Sequence, residues 1–268
     1  MALTRRTRLS LRTVALGYLF VLLLVPLAMI FYRTFEDGLV AFWEQVTTPA
    51  GISAISLSLT IVAIVVPLNV VFGLVTALAL ARGRFPGRGI VQAIVDLPFA
   101  VSPVVVGVSL ILLWGTGGWL GGVAESGFQV IFSLPGMVLA TIFVTLPFVV
   151  REVEPVLQEI GDEQEEAAAT LGASRAQTFW RITLPAIRWG LVYGVVLTVA
   201  RALGEFGALI VVSGGVSGES QTLTLLVHAR YIDDHNVFGA YAASTVLMAF
   251  ALLTLLFMSA LNSKRAYA

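Results

Sequence analysis

Cysteine is absent from this chain of 268 residues, which excludes disulfides, thiolate nucleophiles and Cys-based metal sites. Lysine is nearly absent: Lys264 is the single example. No Gly-x4-Gly-Lys-Ser/Thr loop can therefore cradle a nucleotide, and any ATP-derived energy has to come from a partner. The two histidines, His228 and His235, are not at metal-ligand spacing and read as solvated side chains. No Gly-x-Ser-x-Gly elbow offers a nucleophile. Catalytic, cofactor-binding and metal residues are thus expected to be lacking, and with a formal net charge of zero nucleic acid is not an expected partner. Charge itself is scarce, at 12% of residues against about 25% in a soluble domain.

What fills the chain is apolar surface, 58% of residues. A spanning helix needs about 20 mostly apolar residues, and six segments qualify: 13–35, 52–81, 90–114, 134–150, 187–212 and 237–261. The fold class expected is all-α and integral to a membrane, one transmembrane domain over residues 1–268, with membrane lipid as surroundings. The first segment reads as a retained helix rather than a cleaved signal, since no small-residue cleavage site follows it.

Orientation follows from the basic residues, which accumulate in cytoplasmic loops. Thirteen lie on one side of the six spans: Arg5, Arg6, Arg8, Arg12, Arg82, Arg84, Arg88, Arg151, Arg175, Arg181, Arg188, Lys264 and Arg265. Arg33 and Arg230 lie on the other, and Arg201 falls inside a span. Both termini and the segment 151–186 are expected in the cytoplasm, and segments 36–51, 115–133 and 213–236 outside.

The charged segment 151–186 can be built from local rules. Asp162 and Glu165 have the spacing of a capping box, and Glu163, Glu165 and Glu166 place negative charge at the positive end of the helix that follows. Gly172 supplies a left-handed turn to end that helix. Ser174 and Gln177 form a second capping box opening another short helix. Leu184-Pro185 is expected to mark a junction with the fifth span, because proline cannot continue the hydrogen-bond ladder.

Capping alone explains most of these letters, but not the full spacing Glu166-Ala167-Ala168, three residues to Gly172, nine to Ile182, then Leu184-Pro185. That pattern resembles the signature loop of permease subunits of bacterial ABC importers. The segments Asp96–Pro103, Ser133–Ala140, Thr145–Glu152 and Ala200–Ala208 are similar to the sulfate/thiosulfate (CysW) type, related to molybdate permeases. The resemblance implies a MetI-like fold of six helices in a bacterial inner membrane and import of sulfate or thiosulfate, with molybdate or tungstate as the alternative. It also implies ATP and Mg on a partner ATPase, present in two copies, a homologous second permease, and an extracytoplasmic sulfate-binding protein. Glu166, Ala167, Ala168, Leu171, Gly172, Ile182, Leu184 and Pro185 would then be the helix that docks on the ATPase.

Inside the spans, Arg201 and Glu205 are four apart, so one helix face would let them pair. Each charge at span centre costs about 2.5–3.5 kcal/mol on insertion scales. They are either a packing salt bridge or a gate in which Arg201 meets an anion and Glu205 compensates it when empty. Gly204 and Gly207 allow close approach of another helix or a ligand. Asn69 beside Pro67, Asp96 before Pro98, and Ser102 before Pro103 mark kinks or caps. Asn69 and Ser102 join Arg201, Gly204 and Glu205 as pore candidates.

Overall fold

Proline and its neighbours decide where the helices start, bulge and break. The computed structural model describes residues 5–265, with side chains over 10–123 and 126–260; the side chains of Arg5, Arg6, Arg8, Lys264 and Arg265 lie outside that description. Helix α1, Ser10–Phe35, widens into a π turn at Phe20–Leu24 just ahead of Pro26, where Val25 N–H reaches back to Phe20 O. The wide turn moves the ladder off the carbonyl that the proline ring would strike. A short helix, α2 (Gly38–Val46), follows. Then comes α3 (Pro49–Arg82), opened by Thr48, whose hydroxyl accepts from Gly51 N–H at 3.1 Å ahead of Pro49.

The expected third span is broken. Helix α4 (Arg88–Ala100) and α5 (Pro103–Trp114) meet at 113°. Pro103 disfavours the helical region for the residue before it, and Val101 and Ser102 are both extended, with ψ of 134° at each. Among the described residues five helices are long and apolar enough to cross a membrane, or six if this bent pair is counted as one span. After the short α6 (Gly121–Glu125) comes α7, Leu134–Ile160, which runs ten residues past its apolar stretch.

Beyond Gly161 lies α8, Glu163–Thr170, and then α9, Arg175–Leu203. The expected junction at Leu184-Pro185 is not a break. A second π turn, Phe179–Thr183, accommodates Pro185 as the first accommodates Pro26, and the rod continues. Nor does the fifth span reach residue 212. It stops at Leu203, and a turn through Gly204 leads to the four-residue α10, Leu209–Val212. The segment 213–236 holds a further helix, α11 (Leu223–His228), with buried leucines, before α12 (Val237–Arg265).

The core is the crossing of α3, α7 and α9. One half packs Ala77 and Leu80 against Val150, Val153, Leu157 and Ile187. The other half packs Ile61 and Val65 against Met137, Ala140, Leu209 and Leu225. Missing side chains set the interhelical distance. A methyl at Gly73 would lie 2.7 Å from Val149 Cβ, one at Gly190 2.7 Å from Glu152 O, and one at Gly194 2.9 Å from Val149 Cα. Backbones touch there, as small residues permit in membrane bundles.

Polar groups fasten the periphery. Buried Thr34 and Thr245 share a hydrogen bond of 2.8 Å between α1 and α12. Arg230, buried, donates to Gly239 O, Gln45 O and Thr48 Oγ1. Burial lowers its pKa below the usual arginine value, partly opposed by Asp234.

Candidate functional site

Two places hold most of the residues singled out above: the charged segment that carries α8 and the start of α9, and a cavity at the break between α4 and α5.

On the loop, Asp162 precedes α8 as expected but makes no side-chain cap. Its supposed capping partner, Glu165, is turned the other way. Glu165 accepts from Arg82 Nε at 3.2 Å and from Thr183 Oγ1 at 2.8 Å. A guanidinium and a hydroxyl together outcompete one backbone N–H for a carboxylate. Arg82 closes α3 and also donates to Leu157 O and Gly161 O at the end of α7. One guanidinium therefore ties α3, α7 and α8 together, and Thr183 adds α9. This clamp was not legible in the sequence, where Arg82 counted only as one basic residue; Arg82 and Glu165 are 83 positions apart.

Gly172 has φ +83°, the left-handed turn its position required, and Leu171 caps α8. The second capping box is present: Gln177 N–H donates to Ser174 Oγ at 3.3 Å, and Ser174 N–H to Gln177 Oε1 at 2.9 Å. It opens α9 itself rather than a separate short helix. The signature residues divide by direction. Glu166, Ala167, Leu171 and Gly172 are exposed, Leu171 at 89%, whereas Ala168 is buried and Ile182 and Leu184 are half-buried against the bundle; Pro185 is exposed. The result is a small-residue surface with one projecting leucine, an acidic rim at Glu163 and Glu166, and a fixed attachment beneath.

The cavity, of about 500 Å³, is lined by Phe99, Val101, Ser102, Val144, Phe148 and Arg201 among others. Ser102 stands at the start of α5 and makes no side-chain cap of its own helix. Arg201 Nη1 is 2.7 Å from Glu205 Oε2. The pair exists, but not along one helix face: α9 has ended, and Glu205 sits in the turn beyond it. Glu205 is fully buried; its Oε1 accepts from Ala208 N–H at 2.8 Å, and its carbonyl accepts from Thr224 Oγ1. Arg201 is one-third exposed, towards the cavity.

Two pore candidates move elsewhere. Asn69 is fully buried in the α3–α7 contact, donating to Thr145 Oγ1 at 2.6 Å, and does not reach the cavity. Gly204 is the cap of α9, with nothing nearer than Ala200 O at 3.6 Å to where a Cβ would sit, so no close approach depends on it. Gly207 does serve one: a Cβ there would be 3.0 Å from Pro103 Cβ, which seats the start of α5 over the turn.

The chain is similar to known proteins along most of its length. Residues 69–267 match the family model for a binding-protein-dependent transport system inner membrane component. A sulfate transport system permease protein CysW of Synechocystis is 48% identical over 262 residues, 97% of this chain and 95% of its own length. CysW of Escherichia coli K12 is 48% identical over 242 residues, 90% of this chain and 83% of its own. A sulfate transport system permease protein CysT of the same organism is 37% identical over 257 residues, 96% of this chain and 92% of its own. In fold, the chain is similar to a bacterial ABC transporter involved in the import of the acidic polysaccharide alginate, with a TM-score of 0.77 at 18% identity over 95% of this chain and 93% of that one.

Proposed function

This chain belongs to the binding-protein-dependent transport system inner membrane components, and on that premise we propose that it is the CysW-type permease subunit of an ATP-driven importer that carries sulfate, and thiosulfate with it, into the cytoplasm. The observation that carries the reading is near-half identity to sulfate permeases along almost the whole chain. The exposed signature surface on α8 is what such a subunit needs.

In this reading the chain supplies no catalysis. An ATPase pair on the cytoplasmic side receives Leu171, Gly172 and the acidic rim, and its closure moves α8 and α9. A second permease, of the kind represented by CysT, forms the other wall of the path. An extracytoplasmic binding protein delivers the anion and supplies affinity. Both termini and α8 face the cytoplasm. Arg201 attracts the dianion to the cavity, and Glu205 neutralises Arg201 when the cavity is empty, so that a bare cation is never left at depth.

The test is uptake of radiolabelled sulfate in a strain deleted for this chain and complemented with it. ATP-dependent uptake competed by thiosulfate but not by molybdate is the expected result. Uptake of molybdate in preference to sulfate, or sulfate flux independent of ATP, rejects the assignment.

A further inference from the structure

The paired arginines of this fold differ in how many acceptors each one meets. Arg82 and Arg230 are saturated: each donates to three or more acceptors and each is fastened between helices or loops. Arg201 and Arg151 are not. Each has one carboxylate counterion and remains open, Arg201 to the cavity and Arg151 half-exposed.

Arg151 lies further along α7 from the cavity that Arg201 faces, and it too is paired with a single carboxylate. Val144, Phe148 and Arg151 are spaced i, i+4, i+7, so they form one stripe on the helix. The first two line the cavity that holds Arg201. Phe99 links the cavity to Arg151: its ring meets Phe148 edge-on at 5.6 Å, and the Arg151 guanidinium lies over it at 4.5 Å. Arg151 is nine residues from the end of α7, about 14 Å from it at helical rise. The pairing leaves room for a ligand. Nε and Nη2 both donate to the same oxygen, Asp96 Oδ1, at 3.0 and 2.8 Å, and neither Nη1 nor Asp96 Oδ2 takes part. A planar fork with a free edge suits an oxyanion.

We propose that the Asp96–Arg151 pair is a second oxyanion station, on the cytoplasmic side of the Phe99–Phe148 pair, and that it receives the anion leaving Arg201. The inference rests on the oxyanion-permease reading above. The two rings form an apolar barrier that an anion crosses only when a cation waits beyond it. Asp96 then has the role at this station that Glu205 has at the first: it is displaced when the anion arrives and returns to expel it, so the site does not hold its cargo.

The experiment uses the assembled importer in everted vesicles, with sulfate and binding protein inside and ATP outside. The double variant Asp96→Asn/Arg151→Gln removes the station without stranding a charge. Transport is expected to fall by about tenfold or more, the loss of a charge-assisted hydrogen bond at a barrier, while ATPase stimulation by loaded binding protein persists. Transport at the parent rate overturns the station. Independently, Arg151→Cys in this cysteine-free chain should regain transport after a cationic methanethiosulfonate reaches it from the cytoplasmic face, but not after a neutral one. A thiol inert to the aqueous reagent, or rescue by both reagents, overturns the proposal, as does a double variant that fails to assemble without charge-dependent rescue at 151. Parent vesicles that move no sulfate would instead reject the oxyanion reading itself, and Arg201→Gln measured in parallel separates the two stations.

Discussion

Arg201 and Glu205 are paired but unequally buried, and that inequality sets the outcome of removing either one. Arg201→Leu leaves the Glu205 carboxylate fully buried, with only Ala208 N–H at 2.8 Å to stabilise it. An uncompensated buried charge costs about 3–5 kcal/mol. Glu205→Gln leaves Arg201, which is one-third exposed to a cavity of about 500 Å³ and can take up water there. Its amide still accepts from Ala208, so the cost should be near that of an exposed pair, about 1 kcal/mol. The double change Arg201→Leu/Glu205→Gln should return most of the loss, a coupling of about 2 kcal/mol or more. The assay is the fraction of purified subunit that stays monodisperse after stepwise heating in detergent, with sulfate uptake measured alongside. The expected order of stability is parent, Glu205→Gln, double variant, then Arg201→Leu, with uptake restored by none of them. Equal losses from the two single changes would refute the burial argument, and full uptake by the double variant would refute any pore role for Arg201.

Three further outcomes are expected. Gly172→Ala should insert and retain transport, since nothing lies within 4 Å of its added methyl and only the left-handed φ opposes it, a strain of about 1 kcal/mol; Gly172→Asp should insert but abolish ATPase-coupled uptake, and normal uptake by the aspartate variant contradicts a docking role. Cysteines at Ser174 and Ser217, both exposed, should label from opposite faces of the membrane, the first only after permeabilisation; equal labelling in intact cells overturns the orientation. Glu165→Gln should weaken the clamp to Arg82 while sparing assembly, so that ATP hydrolysed per sulfate moved rises; an unchanged ratio assigns the clamp to packing alone.

The sequence announced these features unevenly. Six apolar runs, the left-handed Gly172 and the Ser174 capping box were legible because each is written within a few residues. Local rules misplaced Glu165, since its partners Arg82 and Thr183 come from distant helices. Asn69 was polar in an apolar run and so looked functional; its amide nitrogen instead bonds Thr145, 76 residues away, inside the contact between α3 and α7. The bend at Val101-Ser102 had a local signal in Ser102-Pro103, but apolar length alone reads straight through it. Pro185 misled in the opposite sense. A proline forbids the ordinary ladder, not the helix, and a single wide turn lets the helix pass.

Because that wide turn leaves α9 unbroken, one rod of 29 residues carries Arg175 beside the proposed docking surface and Arg201 beside the cavity. Its backbone bears on α7 at Gly190 and Gly194, which gives it a fulcrum. At about 1.5 Å per residue the arm to Arg175 is about 25 Å and the arm to Arg201 about 14 Å. Any tilt imposed at the docking end therefore reaches the cavity with its travel roughly halved, its direction reversed and its force nearly doubled. A push of about 4 Å at α8 would become about 2 Å at Arg201, comparable to the radius of a tetrahedral oxyanion.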